Sequence, residues 1–173
     1  MSTTMMMIDR TSPTDQTYTE LDAAYDYFNA ALFDGVLPGC LMTLTRRRKS
    51  HGYFSPGRFC SSDGRETTDE IALNPMRFHG VETEEILATL VHEMCHQWQV
   101  HHGNPPKNVR YHDEEWAAKM EAIGLMPSDT GKPGGRRTGS HMNDYILDGG
   151  PFARACEARK FDRSRLFYDL AQE

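Results

Sequence analysis

The stretch ATLVHEMCHQWQVHHG, residues 88–103, sets two histidines four positions apart with a glutamate directly after the first. On a helix, residues four apart stand one above the other on the same face. His92 and His96 can then grip one metal ion, with Glu93 beside it. The flanks support a helix. Ile86, Leu87, Leu90, Val91, Met94 and Trp98 form a broad apolar stripe, and Glu82, Glu84 and Glu85 crowd the first turn, where the helix dipole favours negative charge. Gly103, Pro105 and Pro106 end it. A pair of solvated surface histidines would leave the neighbouring Glu93 without a reason.

A catalytic zinc site takes three protein ligands and keeps one position open for water. His102 stands where the metzincin pattern H-E-x-x-H-x-x-G-x-x-H places its third histidine, but the glycine that turns the chain there is Gln99 in this sequence. On a continuing helix, at ~100° per residue, His102 points about 240° away from His96 and His101 about 140° away. Both read as polar residues at a helix end. His112 is the better third ligand. It follows a proline-containing loop and opens the next helix, which starts near Asp113 and carries Trp116, Met120 and Ile123 on one face. A helix returning antiparallel brings its first turn back beside the middle of its predecessor. His51, His79 and His141 read as turn or loop histidines.

Upstream, TYTELDAAYDYFNAALFDG has Leu21, Tyr25, Phe28 and Leu32 at helical spacing, a Thr17–Glu20 capping box and Gly35 as a stop. LMTLT (41–45), HGYFSPGRF (51–59) and EIALN (70–74) read as three short strands of a small antiparallel sheet packed on helices. Downstream, PSDTGKPGGRRTGS (127–140) reads as a Gly/Pro-rich loop, and PFARACEARKF as a basic closing helix. The expected organisation is a disordered leader over 1–16, one catalytic domain over 17–126, and an extension over 127–173 packed on that domain.

The chain has 173 residues and a net charge of -6, so its overall balance does not announce a nucleic acid or an anionic membrane. No apolar run approaches the ~20 residues of a membrane span, and the first residues lack the basic region of a signal peptide. The four cysteines at 40, 60, 95 and 156 form no C-x-x-C pair and read as free thiols of a cytoplasmic protein.

FNAALFDGVLP, SHGYFSP, IALNP, VHEMCHQWQ and YHDEEWAAKMEAIGL occur in one order over most of residues 20–126. In this the chain resembles the SprT-like zinc metallopeptidases, the family that includes the protease domain of Spartan. The resemblance implies an α+β, zincin-like domain of gluzincin type. It also implies zinc held by His92, His96 and His112, Glu93 as general base, and a protein or peptide substrate. Many members carry a cysteine-rich zinc ribbon or DNA-binding segments after the protease domain, whereas DRSRLFYDLAQE here follows without a C-x-x-C pair. Cleavage of proteins crosslinked to DNA therefore carries over only weakly. Arg46, Arg47, Arg48 and Lys49, with Arg136 and Arg137, can touch phosphates, but a charged strand turn and a solvated loop explain them equally well.

The expected reaction is peptide-bond hydrolysis by a zinc-activated water, with Glu93 moving the proton. An edge strand can hold the extended substrate. Tyr111 and Tyr145 are the candidates for steadying the oxyanion. The alternative is a non-catalytic binding module in which the same histidines hold a structural zinc and Glu93 is a supporting partner.

Overall fold

The computed structural model describes residues 11–171. Ser12 starts the first helix: its hydroxyl accepts from the Asp15 amide at 3.1 Å, and Pro13 takes a position where no amide is needed. Helix α1 thus runs Pro13–Leu32, opening ahead of the Thr17–Glu20 capping box expected from the sequence. Thr17 lies buried inside the helix, its hydroxyl donating to the Arg165 carbonyl at 3.2 Å. The leader expected over 1–16 overlaps this helix from Pro13 onward; residues 1–10 lie outside the described residues.

Three strands follow, β1 (Cys40–Leu44), β2 (Gly52–Cys60) and β3 (Thr67–Leu73). They form one sheet in the order β1-β3-β2, with β2 antiparallel to β3 but β1 parallel to it. The sheet is therefore mixed, not antiparallel as expected. The strands alternate in direction along the chain, and placing the third in the middle makes one contact parallel. Burial goes with the placement: β3 is buried continuously from Asp69 to Leu73, whereas β1 buries only Met42 and β2 is exposed from Pro56 to Cys60. A strand covered on both faces belongs in the centre.

Gly52 lets β2 approach closely. A Cβ there would meet the Ala72 carbonyl oxygen at 2.7 Å and the Thr89 methyl at 3.2 Å, so a side chain would push strand and helix apart. Further on, the β2–β3 register shifts between Ser55 and Phe59, and the Gly57 amide turns to donate to Asp69 Oδ1 at 2.8 Å.

Helix α2 spans Thr83–His102 and α3 spans Glu114–Ala122. Ile86, Leu87, Leu90, Val91 and Met94 of α2 bury against Leu21, Tyr25 and Phe28 of α1, Phe54, Ile71 and Leu73 of the sheet, and Trp116 and Met120 of α3. Burying each such side chain contributes about 1.5–3 kcal/mol. Strand β4 (Leu125–Ser128) then pairs antiparallel with β5 (Asn143–Ile146), so the expected loop over 127–140 begins inside a hairpin. Helix α4 (Pro151–Ala158) returns to α1, where Phe152 stacks on Phe28 at 5.5 Å and the Tyr27 hydroxyl donates to the Ala155 carbonyl at 2.7 Å. Among the described residues, no helix is long and apolar enough to cross a membrane.

Candidate metal centre

Helix α2 places His92 and His96 on one face, one turn apart, with ring centroids separated by 5.4 Å. His112 arrives from the loop just before α3. Three hydrogen bonds hold that loop end. Asp113 caps α3 by accepting from the Trp116 amide at 3.0 Å, and the buried Gln99 side chain donates to Asp113 Oδ1 at 2.8 Å and to Glu115 Oε2 at 2.9 Å. The position that a glycine would occupy in a metzincin is thus occupied by a side chain that fastens α2 to the start of α3.

One ligand atom from each of His92, His96 and His112 lies within 4.8 Å of the others, and all three residues are buried. Trp116 is fully buried behind them, its ring centroid 4.8 Å from His92, 5.4 Å from His96 and 4.4 Å from His112. Among the described residues this is the one such cluster.

The hydrogen bonds determine which nitrogens face inward. His112 Nδ1 lies 2.9 Å from the Gly139 carbonyl, which only accepts, so Nδ1 carries the proton and Nε2 offers a lone pair. His92 Nδ1 lies 3.0 Å from Asp144 Oδ2 and donates to that carboxylate. The two Nε2 atoms then face each other at 3.2 Å. Two lone pairs at that distance repel unless a proton or a cation lies between them. Two nitrogens bound to one tetrahedral zinc at ~2.0–2.1 Å are separated by about 3.3 Å, so the donors fit such an ion. His96 Nδ1 is buried without a hydrogen-bond partner at normal geometry, and the Val109 backbone, beside His92 and His112, is among the groups that act on the ring.

Charge in the site follows from burial. Desolvation pushes the His96 pKa well down, helped by His92 and His112, and brings that of His112 down to about 3. Both imidazoles are neutral near pH 7, the form that ligates metal. For His92 burial works in the same sense, but the Asp144 hydrogen bond and the Glu93 and Asp144 charges outweigh it and raise the pKa. Glu93 is itself buried, and its pKa is raised chiefly by desolvation, against the opposing influence of His92, Arg110 and the Phe54 amide on β2. Its carboxylate therefore sits between the histidines and an edge strand of the sheet. Arg110, two residues before His112, lies over the Tyr53 ring at 5.6 Å and reaches Ser55 Oγ at 3.4 Å.

The sequence profile of the SprT-like family matches residues 21–134, about two thirds of the chain. The chain belongs to the SprT-like family. An uncharacterized protein in the mucB 3' region of Salmonella typhimurium is 49% identical to this SprT-like chain over 59 residues, covering 34% of this chain and 80% of that protein. No solved structure matches significantly.

The other histidines of this SprT-like chain have different employment. His101 Nε2 pairs with the buried Asp69 carboxylate at 2.7 Å, and His102 Nε2 lies 3.0 Å from the Val36 carbonyl. His51 and His141 are exposed; His92 acts electrostatically on the first, and the second acts on His112. Tyr111 is 39% exposed, with its backbone amide bound to the Asn108 carbonyl. Tyr145 follows Asp144 on β5, and successive strand residues point to opposite faces, so Asp144 facing His92 turns Tyr145 away. Asp144 and Gly139 carry no signal that the sequence reading detected. Their partners, His92 and His112, are 52 and 27 residues away in the chain.

Proposed function

We propose that the SprT-like chain is a zinc metallopeptidase in which His92, His96 and His112 hold the ion and Glu93 is the general base. The observation that carries this reading is the inward-facing set of three buried imidazoles with a buried carboxylate beside them. Imidazole sets accept several transition metals, and zinc is the one that suits hydrolysis without redox chemistry. When bound, zinc acidifies water and polarises the scissile carbonyl. Glu93, with its pKa raised by burial, takes the proton from the attacking water and returns it to the leaving amine. Trp116 keeps water from the far side of the histidines. Strand β2, an edge of the sheet alongside Glu93, can pair its free backbone groups with an extended substrate.

Proteins bound or crosslinked to DNA are the substrates we propose to try first, on the family resemblance. The surface offers limited help. Arg46 pairs with Asp169 at 2.5 Å, Arg136 with Asp129 at 2.8 Å and Arg137 with Glu121 at 2.9 Å, which removes part of the basic charge available to phosphates.

The test is incubation of the zinc-loaded protein with a DNA-crosslinked protein and with a free protein, each with and without DNA, beside Glu93→Gln. Cleavage lost by about 10²–10⁴-fold in Glu93→Gln, with zinc content unchanged, supports the peptidase. Unchanged binding and no cleavage by either form would instead favour a structural zinc module.

A further inference from the structure

We infer that the segment Gly139–Asp144 is a working part of the metal centre, with Asp144 as the positioning residue of His92 and the Gly139 carbonyl as that of His112. The inference rests on the proposal that these histidines hold zinc, and the segment lies beyond the residues, 21–134, that the family profile matches.

Three independent restraints aim the segment at the ligands. Strand β5 pairs with β4, setting Asp144 opposite Pro127. His112 and Gly139 form a reciprocal backbone bridge, His112 N–H donating at 3.1 Å and Gly139 N–H at 3.0 Å. Gly139 has φ +150°, a conformation that side-chain-bearing residues rarely adopt, so the direction of its carbonyl depends on glycine. From these anchors, Asp144 Oδ2 receives His92 Nδ1 at 3.0 Å, both side chains being nearly buried at 13% and 11% exposure. The carboxylate lies on the side of the ring away from His112, so it does not compete as a ligand.

The chemical consequence is tautomer selection. A proton held on Nδ1 by an outside acceptor leaves Nε2 free to ligate and makes it more electron-rich. The segment does this for two of the three ligands, His92 and His112. A hairpin that looks like an appendage of the helical domain thereby sets the donor state of the site.

The experiment measures zinc affinity of the full chain by competition with a chromophoric chelator, and cobalt(II) absorption as a report on ligand geometry. Asp144→Ala is expected to weaken zinc by about 10–100-fold and to alter the cobalt bands, with Asp144→Asn falling between it and the wild type because the amide oxygen still accepts. Gly139→Ala is expected to weaken zinc as well. Arg136→Ala, which breaks an ion pair in the same loop without touching a ligand partner, is expected to stay within about twofold. Affinity in Asp144→Ala within about threefold of wild type, with unchanged cobalt bands, would overturn the inference; so would an equal loss in Arg136→Ala. If Asp144→Ala does not fold, Asp144→Leu, which also removes the acceptor but fills the space, decides by the same criteria. A wild-type chain that binds no zinc removes the metal reading itself, whereas tight wild-type binding unaffected by Asp144→Ala removes this inference alone.

Discussion

The Gln99 side-chain amide donates to the Asp113 carboxylate at 2.8 Å, tying the last turn of the helix that carries two histidines to the cap that follows the third. The same amide reaches Glu115 at 2.9 Å, and Glu115 in turn accepts from the Asn104 amide at 2.7 Å. One buried side chain thus sets the angle between α2 and α3. Removing it leaves a cavity and deprives two carboxylates of a donor. Gln99→Ala is expected to destabilise the metal-free protein by about 1–3 kcal/mol in urea denaturation and to weaken zinc along with it. A change near zero in both would show that the helix pair is held by its apolar contacts alone.

Zinc content should be one per chain, and lost in His92→Ala, His96→Ala and His112→Ala when measured by elemental analysis. His101→Ala and His102→Ala should keep it, because their imidazoles are engaged with Asp69 and the Val36 carbonyl. The metal-free protein should remain folded by circular dichroism, since its core of Leu21, Phe28, Phe54, Leu90 and Met120 does not depend on the ion. It should melt earlier and recover with added zinc, because ligand binding to the folded state alone adds stability by linkage. Full zinc in His112→Ala would refute the ligand set.

Trp116 touches all three histidine rings, so its loss acts on stability and metal together. Trp116→Ala is expected to cost roughly 3–5 kcal/mol, the range for a large buried aromatic, and to loosen zinc. Trp116→Phe should recover much of both. Its indole nitrogen has no hydrogen-bond partner, so the substitution breaks no hydrogen bond. Denaturation curves with and without zinc separate the two effects.

The buried neutral histidines make the apo protein sensitive to acid. His96 and His112 have folded pKa values below the unfolded value of ~6.5, that of His112 at about 3. Between those values the unfolded chain binds more protons than the folded one, so stability falls as pH falls from ~6.5 and levels off below the folded pKa. Each excess proton contributes a slope of ~1.4 kcal/mol per pH unit. His92, with its pKa raised, works in the other window: its contribution is complete below ~6.5 and is lost as pH rises through its folded value. Equilibrium unfolding from pH 4 to 7 should therefore show a slope that shrinks in His112→Asn. A slope unchanged by that substitution would exclude His112 as its source.

The α2 helix, the face that joins His92 and His96, and Glu93 beside it were legible because they are local. A 3.6-residue period relates neighbours on one helix and needs no knowledge of the rest of the chain. His112 was legible at one remove, since Pro105 and Pro106 break the helix and a short connection leaves few places for the chain to return. The strands were visible as segments, but their order was not. That Ile71, Ala72 and Leu73 take the centre, and that β1 consequently runs parallel to β3, goes with the continuous burial of β3 from Asp69 to Leu73, which only a strand with a neighbour on each side achieves here. The β4–β5 hairpin gave no pattern at all, its strands being four residues long and including Pro127, Asn143 and Asp144. Sequence alone determined that two histidines share a helical face with a glutamate directly after the first. Only the tertiary structure decided that Asp144 and Gly139 complete their surroundings, because contacts across 52 and 27 residues are selected by packing, to which a local period is blind.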